Sequence, residues 1–113
     1  MSLTLKDKVV AVTGATSGSG LAIAQRFIDE GAEVVLLARG QQRLEEVTAS
    51  LGDRATGIVC DVGDVESVRQ AFAAIADTFG KIDVLINNAA VYRPCAVESL
   101  TDLDIAQQVA TNL

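Results

Sequence analysis

Apolar positions run along this chain in two alternating rhythms. Short stretches at residues 8–13, 33–38, 55–60 and 83–87 are almost continuously apolar and rich in β-branched residues. Between them, apolar residues recur every three or four positions: Leu21, Ala24, Phe27 and Ile28; Leu44, Val47 and Leu51; Val68, Phe72, Ile75 and Phe79; Leu103, Ala106, Val109, Ala110 and Leu113. The first rhythm predicts strands and the second predicts helices with one buried face. Runs such as Val34-Val35-Leu36-Leu37 and Val84-Leu85-Ile86 do not alternate with polar residues, as expected of strands covered on both faces in a parallel sheet.

Punctuation supports these boundaries. Gly31, Gly52 and Gly80 follow the last apolar position of three helical segments, where a left-handed residue ends a helix without a Cβ penalty. Asp64 stands where a side-chain oxygen can cap the third helix, and Thr101 with Asp104 forms a capping box before the fourth. The order βαβαβαβα predicts an α/β fold, a Rossmann-type doubly wound parallel sheet, truncated after strand four and part of helix four. The expectation is one partial dinucleotide-binding domain over residues 1–113.

Composition narrows the function classes. Half of the 113 residues are hydrophobic and 21% are charged, in the range of a folded soluble domain. Fifteen acids outnumber nine scattered bases, so no basic stripe is available for nucleic acid or anionic lipid, and no apolar run is long enough to span a bilayer. Histidine is absent, and Cys60 and Cys95 form no Cys-x-x-Cys pair, so no metal site is predicted. Cys60 sits in an apolar run and is expected to be a buried, inert thiol in a cytoplasmic protein.

The candidate chemistry lies between the first strand and the first helix, at Thr13-Gly14-Ala15-Thr16-Ser17-Gly18-Ser19-Gly20. Glycines there allow a tight turn and close approach of a pyrophosphate, and the following helix N-terminus offers unpaired N–H groups and a favourable dipole. The spacing is Gly-x-x-x-Gly-x-Gly rather than the common Gly-x-Gly-x-x-Gly. At the end of the second strand, where a site for NAD places an acid, this chain has Ala38-Arg39-Gly40. A guanidinium can pair with a 2′-phosphate, so NADP(H) is preferred over NAD(H).

This octapeptide resembles the Thr-Gly-x-x-x-Gly-x-Gly signature of the short-chain dehydrogenases/reductases, and further features fall in that family's order from about Leu5 to Leu113. Asp61-Val62 matches the acidic position that contacts the adenine amino group, Asn87-Asn88-Ala89-Ala90 is similar to Asn-Asn-Ala-Gly, and Asn112 matches the asparagine of the Asn-Ser-Tyr-Lys catalytic group. The chain departs from the pattern at Ser19, where the family has isoleucine, and at Ala90, where it has glycine. The resemblance implies cofactor binding by Gly14, Thr16, Ser17, Gly18, Ser19, Gly20, Arg39, Asp61, Val62, Asn88, Ala89 and Ala90.

It further implies hydride transfer that reduces a carbonyl or oxidises an alcohol on a small-molecule substrate. The family's catalytic tyrosine has a lysine four positions later. The only tyrosine here is Tyr92, which is followed four positions on by Ala96, so catalytic serine and Tyr-x-x-x-Lys are not among these residues. Asn112 is then the single candidate catalytic residue, and these 113 residues alone are expected to be inactive. A non-catalytic nucleotide-binding module is the alternative. Self-association as a homo-oligomer is expected through the exposed edge of strand four and the last helix.

Overall fold

The structure, a computed structural model, describes residues 5–88. Strands β1 (Val9–Thr13), β2 (Glu33–Ala38), β3 (Ala55–Val59) and β4 (Val84–Ile86) alternate with helices α1 (Gly18–Asp29), α2 (Gln41–Leu51) and α3 (Val65–Phe79). The strands form one parallel sheet in the order β3-β2-β1-β4. The predicted final helix, with Ala89, Ala90 and Asn112, lies outside the described residues.

The central strands β1 and β2 are covered on both faces, which accounts for their unbroken apolar runs, whereas the edge strand β3 is only partly covered and leaves Val59 exposed. Val10, Val12, Val34 and Leu36 point into a core with Ala24 of α1 and Leu44 and Val47 of α2. Val9, Ala11, Val35, Leu37 and Leu85 point the other way, against Val68, Ala71 and Ile75 of α3. The chain steps outward from β1 to β3, then returns past β1 to add β4. Right-handed crossovers in opposite directions require opposite faces, so α1 and α2 share one side and α3 takes the other.

Small residues set how closely the helices approach. α1 buries Gly20 and Ala24, one turn apart, and leaves Leu21, Phe27 and Ile28 half-buried at the margin of the same core. On α3 the deepest positions are Val68, Ala71 and Ile75, while the predicted face residues Phe72 and Phe79 pack against its rim. At Gly57 on β3, an added Cβ would lie 2.7 Å from Thr48 Oγ1 and 2.9 Å from Leu44 Cγ, so this glycine lets α2 lie against the edge strand.

The terminators behave as the sequence suggests. Gly31 has φ of 96°, and Gly31 N–H donates to the Ile28 carbonyl while Ala32 N–H donates to that of Phe27. This is the paired closure of a Schellman motif. Gly80 ends α3 at φ 77° and donates to the Ala76 carbonyl. Two strands start one residue later than the pattern suggests. Asp83 falls outside β4 because its carboxylate accepts the Val9 N–H at 2.7 Å, and Lys8 precedes β1. Lys81 Nζ bonds the same carboxylate at 3.1 Å and the Asp7 carbonyl at 2.7 Å, closing the sheet end opposite the glycine turn.

Candidate functional site

All four strands are parallel, so their C-terminal ends lie along one edge of the sheet. The topological switch point falls between β1 and β4, where the chain leaves in opposite directions. In open α/β sheets, ligands bind in the crevice outside the strand ends at that point. The glycine turn rises from β1 on one side of this crevice, and Asn87-Asn88 leaves β4 on the other.

The two walls are joined by Thr13, the only buried polar residue among the described residues. Its hydroxyl accepts the Asn88 backbone N–H at 3.0 Å and donates to Asn87 Oδ1 at 3.0 Å. Asn88 Nδ2 donates to the Gly14 carbonyl at 3.3 Å, and Ser19 Oγ donates to Asn88 Oδ1 at 3.0 Å. Gly14 N–H donates to the Leu37 carbonyl at 2.9 Å, which fastens the turn to β2 as well. The turn is therefore held to both neighbouring strands before any ligand arrives.

The glycines have separate duties. Gly14 and Gly18 take left-handed φ angles of 60° and 57°, which side-chain-bearing residues adopt only at a cost. A Cβ on Gly18 would meet nothing within 4 Å, so its surroundings are open. Gly20 is the reverse case. A Cβ there would collide with the Gly14 carbonyl and come within 2.6 Å of Asn88 Nδ2.

The electrostatics of the helix starts differ along the edge. Asp64 caps α3, its carboxylate accepting the Glu66 N–H at 3.0 Å and the Ser67 N–H at 3.5 Å. Neither Ser17 before α1 nor Gly40 before α2 supplies a side-chain cap, and neither helix has an acid in its first turn. The positive ends of α1 and α2 thus keep donors that a bound anion could take up. Arg39 is exposed just beyond β2. Arg43, in the first turn of α2, donates from Nε to the Thr16 carbonyl at 3.3 Å.

At the end of β3, the Asp61 Oδ1 accepts the Gly63 N–H at 2.9 Å, and the Asp61 N–H donates to Ser67 Oγ at 2.9 Å. Asp61 and Val62 are half-buried there, with Val62 packed against the α3-side core. Cys60 is buried beside them. Burial pushes its thiol pKa up, a hydrogen bond with Ser67 opposes this, and the negative charges of Asp61 and Asp64 push it further up. The thiol stays protonated at neutral pH, in keeping with an inert role.

Of the residues singled out from the sequence, Gly14, Thr16, Ser17, Gly18, Ser19, Gly20, Arg39, Asp61, Val62 and Asn88 are gathered along this one edge, ahead of the C-terminal ends of the four strands. Ala89, Ala90 and Asn112 lie outside the described residues. Sequence reasoning included Thr13 in the candidate octapeptide but gave it no role, and it did not place Arg43 in the site. The part Thr13 plays, joining the turn to β4, comes from its bonds to Asn87 and Asn88. Arg43 lies four residues beyond Arg39, but nothing local signals its bond to a carbonyl 27 residues earlier.

A doubly wound sheet with a glycine turn at its switch point defines the class of nucleotide-binding α/β proteins. Comparison with known proteins narrows the class to a family: residues 8–113 match the short chain dehydrogenase family, and the chain belongs to it. It is 40% identical over 111 residues to a 3beta-hydroxysteroid dehydrogenase of Mediterraneibacter gnavus, covering 95% of this chain and 40% of that protein. It is 41% identical over 112 residues to a D-threitol dehydrogenase of Mycolicibacterium smegmatis, covering 96% and 43%.

Among solved structures, L-sorbose reductase from Gluconobacter frateurii, complexed with NADPH and L-sorbose, superposes with a TM-score of 0.80 at 30% identity, covering 99% of this chain and 49% of that one. The 3-ketoacyl-(acyl-carrier-protein) reductase from Brucella melitensis, complexed with NADH, gives 0.74 at 34% identity, covering 97% and 46%. The chain thus spans about two fifths of the length of these curated relatives.

Proposed function

We propose that this chain is the NADP(H)-binding portion of an oxidoreductase that interconverts a carbonyl and an alcohol on a small-molecule substrate. The observation that carries the reading is the crevice at the switch point. Its turn is fastened to β2 through Gly14 and to the segment after β4 through Asn88, Gly20 has no room for a side chain, and the adjoining α1 N-terminus has no side-chain cap. These are the features that a pyrophosphate needs: close backbone approach, free N–H donors and a positive helix end. The Brucella relative in complex with NADH and the Gluconobacter relative in complex with NADPH support a nicotinamide dinucleotide as the ligand.

In this reading Gly14, Thr16, Ser17, Gly18, Ser19 and Gly20 hold the pyrophosphate and adenosine ribose. Asp61 and Val62 border the adenine, and Asn88 with Ala89 and Ala90 borders the nicotinamide side. Arg39 stands where an acid would favour NAD, and its exposed guanidinium suits a 2′-phosphate. The bound cofactor supplies or accepts hydride. This chain's own residues bind and orient it, with Asn112 assigned to the catalytic group. The substrate oxygen and its proton are handled by residues of the family's serine and Tyr-x-x-x-Lys type, and Tyr92 is not the tyrosine of that motif.

Titrating the protein with NADPH and with NADH, following the nicotinamide fluorescence, tests this directly. Enhanced, shifted emission with tighter binding of NADPH is expected, and Arg39→Asp should reverse the preference. Absence of binding by either nucleotide refutes the dinucleotide reading, and equal binding of both refutes the preference for NADP(H).

A further inference from the structure

The cation that the fold brings against the phosphate turn is Arg43. An exposed arginine with a glutamate three residues further along a helix ordinarily has an ion-pair partner within reach. Arg43 has Glu46 at that spacing, yet no ion pair forms between them. Glu45 is engaged with Gln41, whose Nε2 donates to it at 3.1 Å. Arg43 turns toward the helix start instead and bonds the Thr16 carbonyl through Nε.

That position is electrostatically unfavourable on its own. A cation in the first turn of a helix faces the positive end of the macrodipole, and α2 has no acid there and no side-chain cap to offset it. A neighbouring anion would reverse the balance. The Nε bond leaves both terminal nitrogens of a planar, five-donor group without acceptors among the described residues, beside the Thr16-Ser17 segment. Arg39 precedes the same helix by two residues, so both arginines belong to one strand-to-helix junction, from which Arg43 reaches the turn.

We propose that Arg43 is a second specificity-determining residue for the 2′-phosphate of NADP(H), braced on the Thr16 carbonyl and acting with Arg39. The proposal rests on the NADP(H) reading given above. Arginine suits the task because one edge of its fork can hold the turn while the other pairs with a phosphate, a division that a lysine ammonium cannot reproduce geometrically.

The test compares wild type, Arg43→Gln and Arg43→Lys in titrations with NADPH, NADH and adenosine 2′-monophosphate, with thermal unfolding as a check on folding. Arg43→Gln should weaken NADPH and adenosine 2′-monophosphate about tenfold, the loss of one charge-assisted contact, and leave NADH within about twofold. Arg43→Lys should fall between Gln and wild type. Equal weakening of NADPH and NADH would make Arg43 a brace for the turn alone and overturn the proposal, as would unchanged NADPH affinity in either variant. Equal binding of NADPH and NADH by the wild type is a separate failure, that of the NADP(H) reading itself.

Discussion

Gly20→Ala is a substitution whose sign separates packing from propensity. Gly20 lies in the first turn of α1, and helix propensity alone favours alanine over glycine by up to about 1 kcal/mol. The local geometry opposes this. The new methyl would collide with the Gly14 carbonyl oxygen and sit 2.6 Å from Asn88 Nδ2. The first obstacle is backbone, so relief requires the turn or the start of α1 to move.

Overpacking of this kind costs about 1–3 kcal/mol. Displacing Asn88 from the Gly14 carbonyl forfeits a further ~1 kcal/mol. Set against the propensity gain, the net loss is about 1–3 kcal/mol. At roughly 4 °C per kcal/mol for a domain of this size, the thermal midpoint should fall by about 4–12 °C. Circular dichroism melts and urea titrations measure this, and the nucleotide titration should show weakened NADPH binding below the midpoint. Gly18→Ala serves as the control, because a Cβ there meets nothing and the substitution bears only the cost of its positive φ. A Gly20→Ala protein as stable as wild type, or less affected than Gly18→Ala, would refute the packing argument.

Two further predictions concern residues outside the crevice. The hydrogen bond from the Val9 N–H, with lesser help from Lys81 and Lys8, holds the Asp83 carboxyl below its ordinary pKa, although burial pushes the other way. Its contribution is therefore complete above the unfolded-state value near ~3.9 and is lost as pH falls through the lower folded-state value. Asp83→Asn should cost about 1 kcal/mol at neutral pH, with the difference vanishing in strong acid. A gap that persists unchanged across urea titrations from pH 7 to 2 would contradict this. Thr48 Oγ1 is buried in α2 without a hydrogen-bond partner among the described residues. Thr48→Val removes that polar atom at nearly constant shape and should raise stability by about 1 kcal/mol in the same assay, whereas a loss would show that the hydroxyl is satisfied.

Much of the fold was legible because burial on both faces leaves an unmistakable trace. Val34 to Leu37 alternate between two different cores, so neither parity could be polar, and the run reads as a covered strand. Gly31 and Gly80 were equally readable, since a left-handed terminator is a local requirement. The depth order on α3 was less so. Helical period marks a face but does not distinguish Ala71 at its centre from Phe72 at its rim, because that depends on how closely the sheet approaches.

The site divides along the same line. The glycines and Asn88 stand out because each belongs to a compact local pattern. The bonds that assemble them do not. Ser19 to Asn88 spans 69 residues, and Arg43 to Thr16 spans 27. No periodicity carries such pairings, which exist only once the sheet has brought the two ends together.

The strand order carries a consequence for how this edge comes into being. Val9 pairs with Glu33, one crossover along the chain, whereas Val10 pairs with Val84, after two crossovers more. Closing the longer loop costs more chain entropy, and contacts between distant segments slow folding. The glycine turn can therefore dock on β2 early, through Gly14 and Leu37, while its second wall waits for Asn87 and Asn88. During synthesis, one side of β1 stays unpaired until residues 84–86 have emerged. The Thr13 hydroxyl can bridge the crevice only once β4 has joined β1, so nucleotide binding becomes a report on whether that pairing has formed.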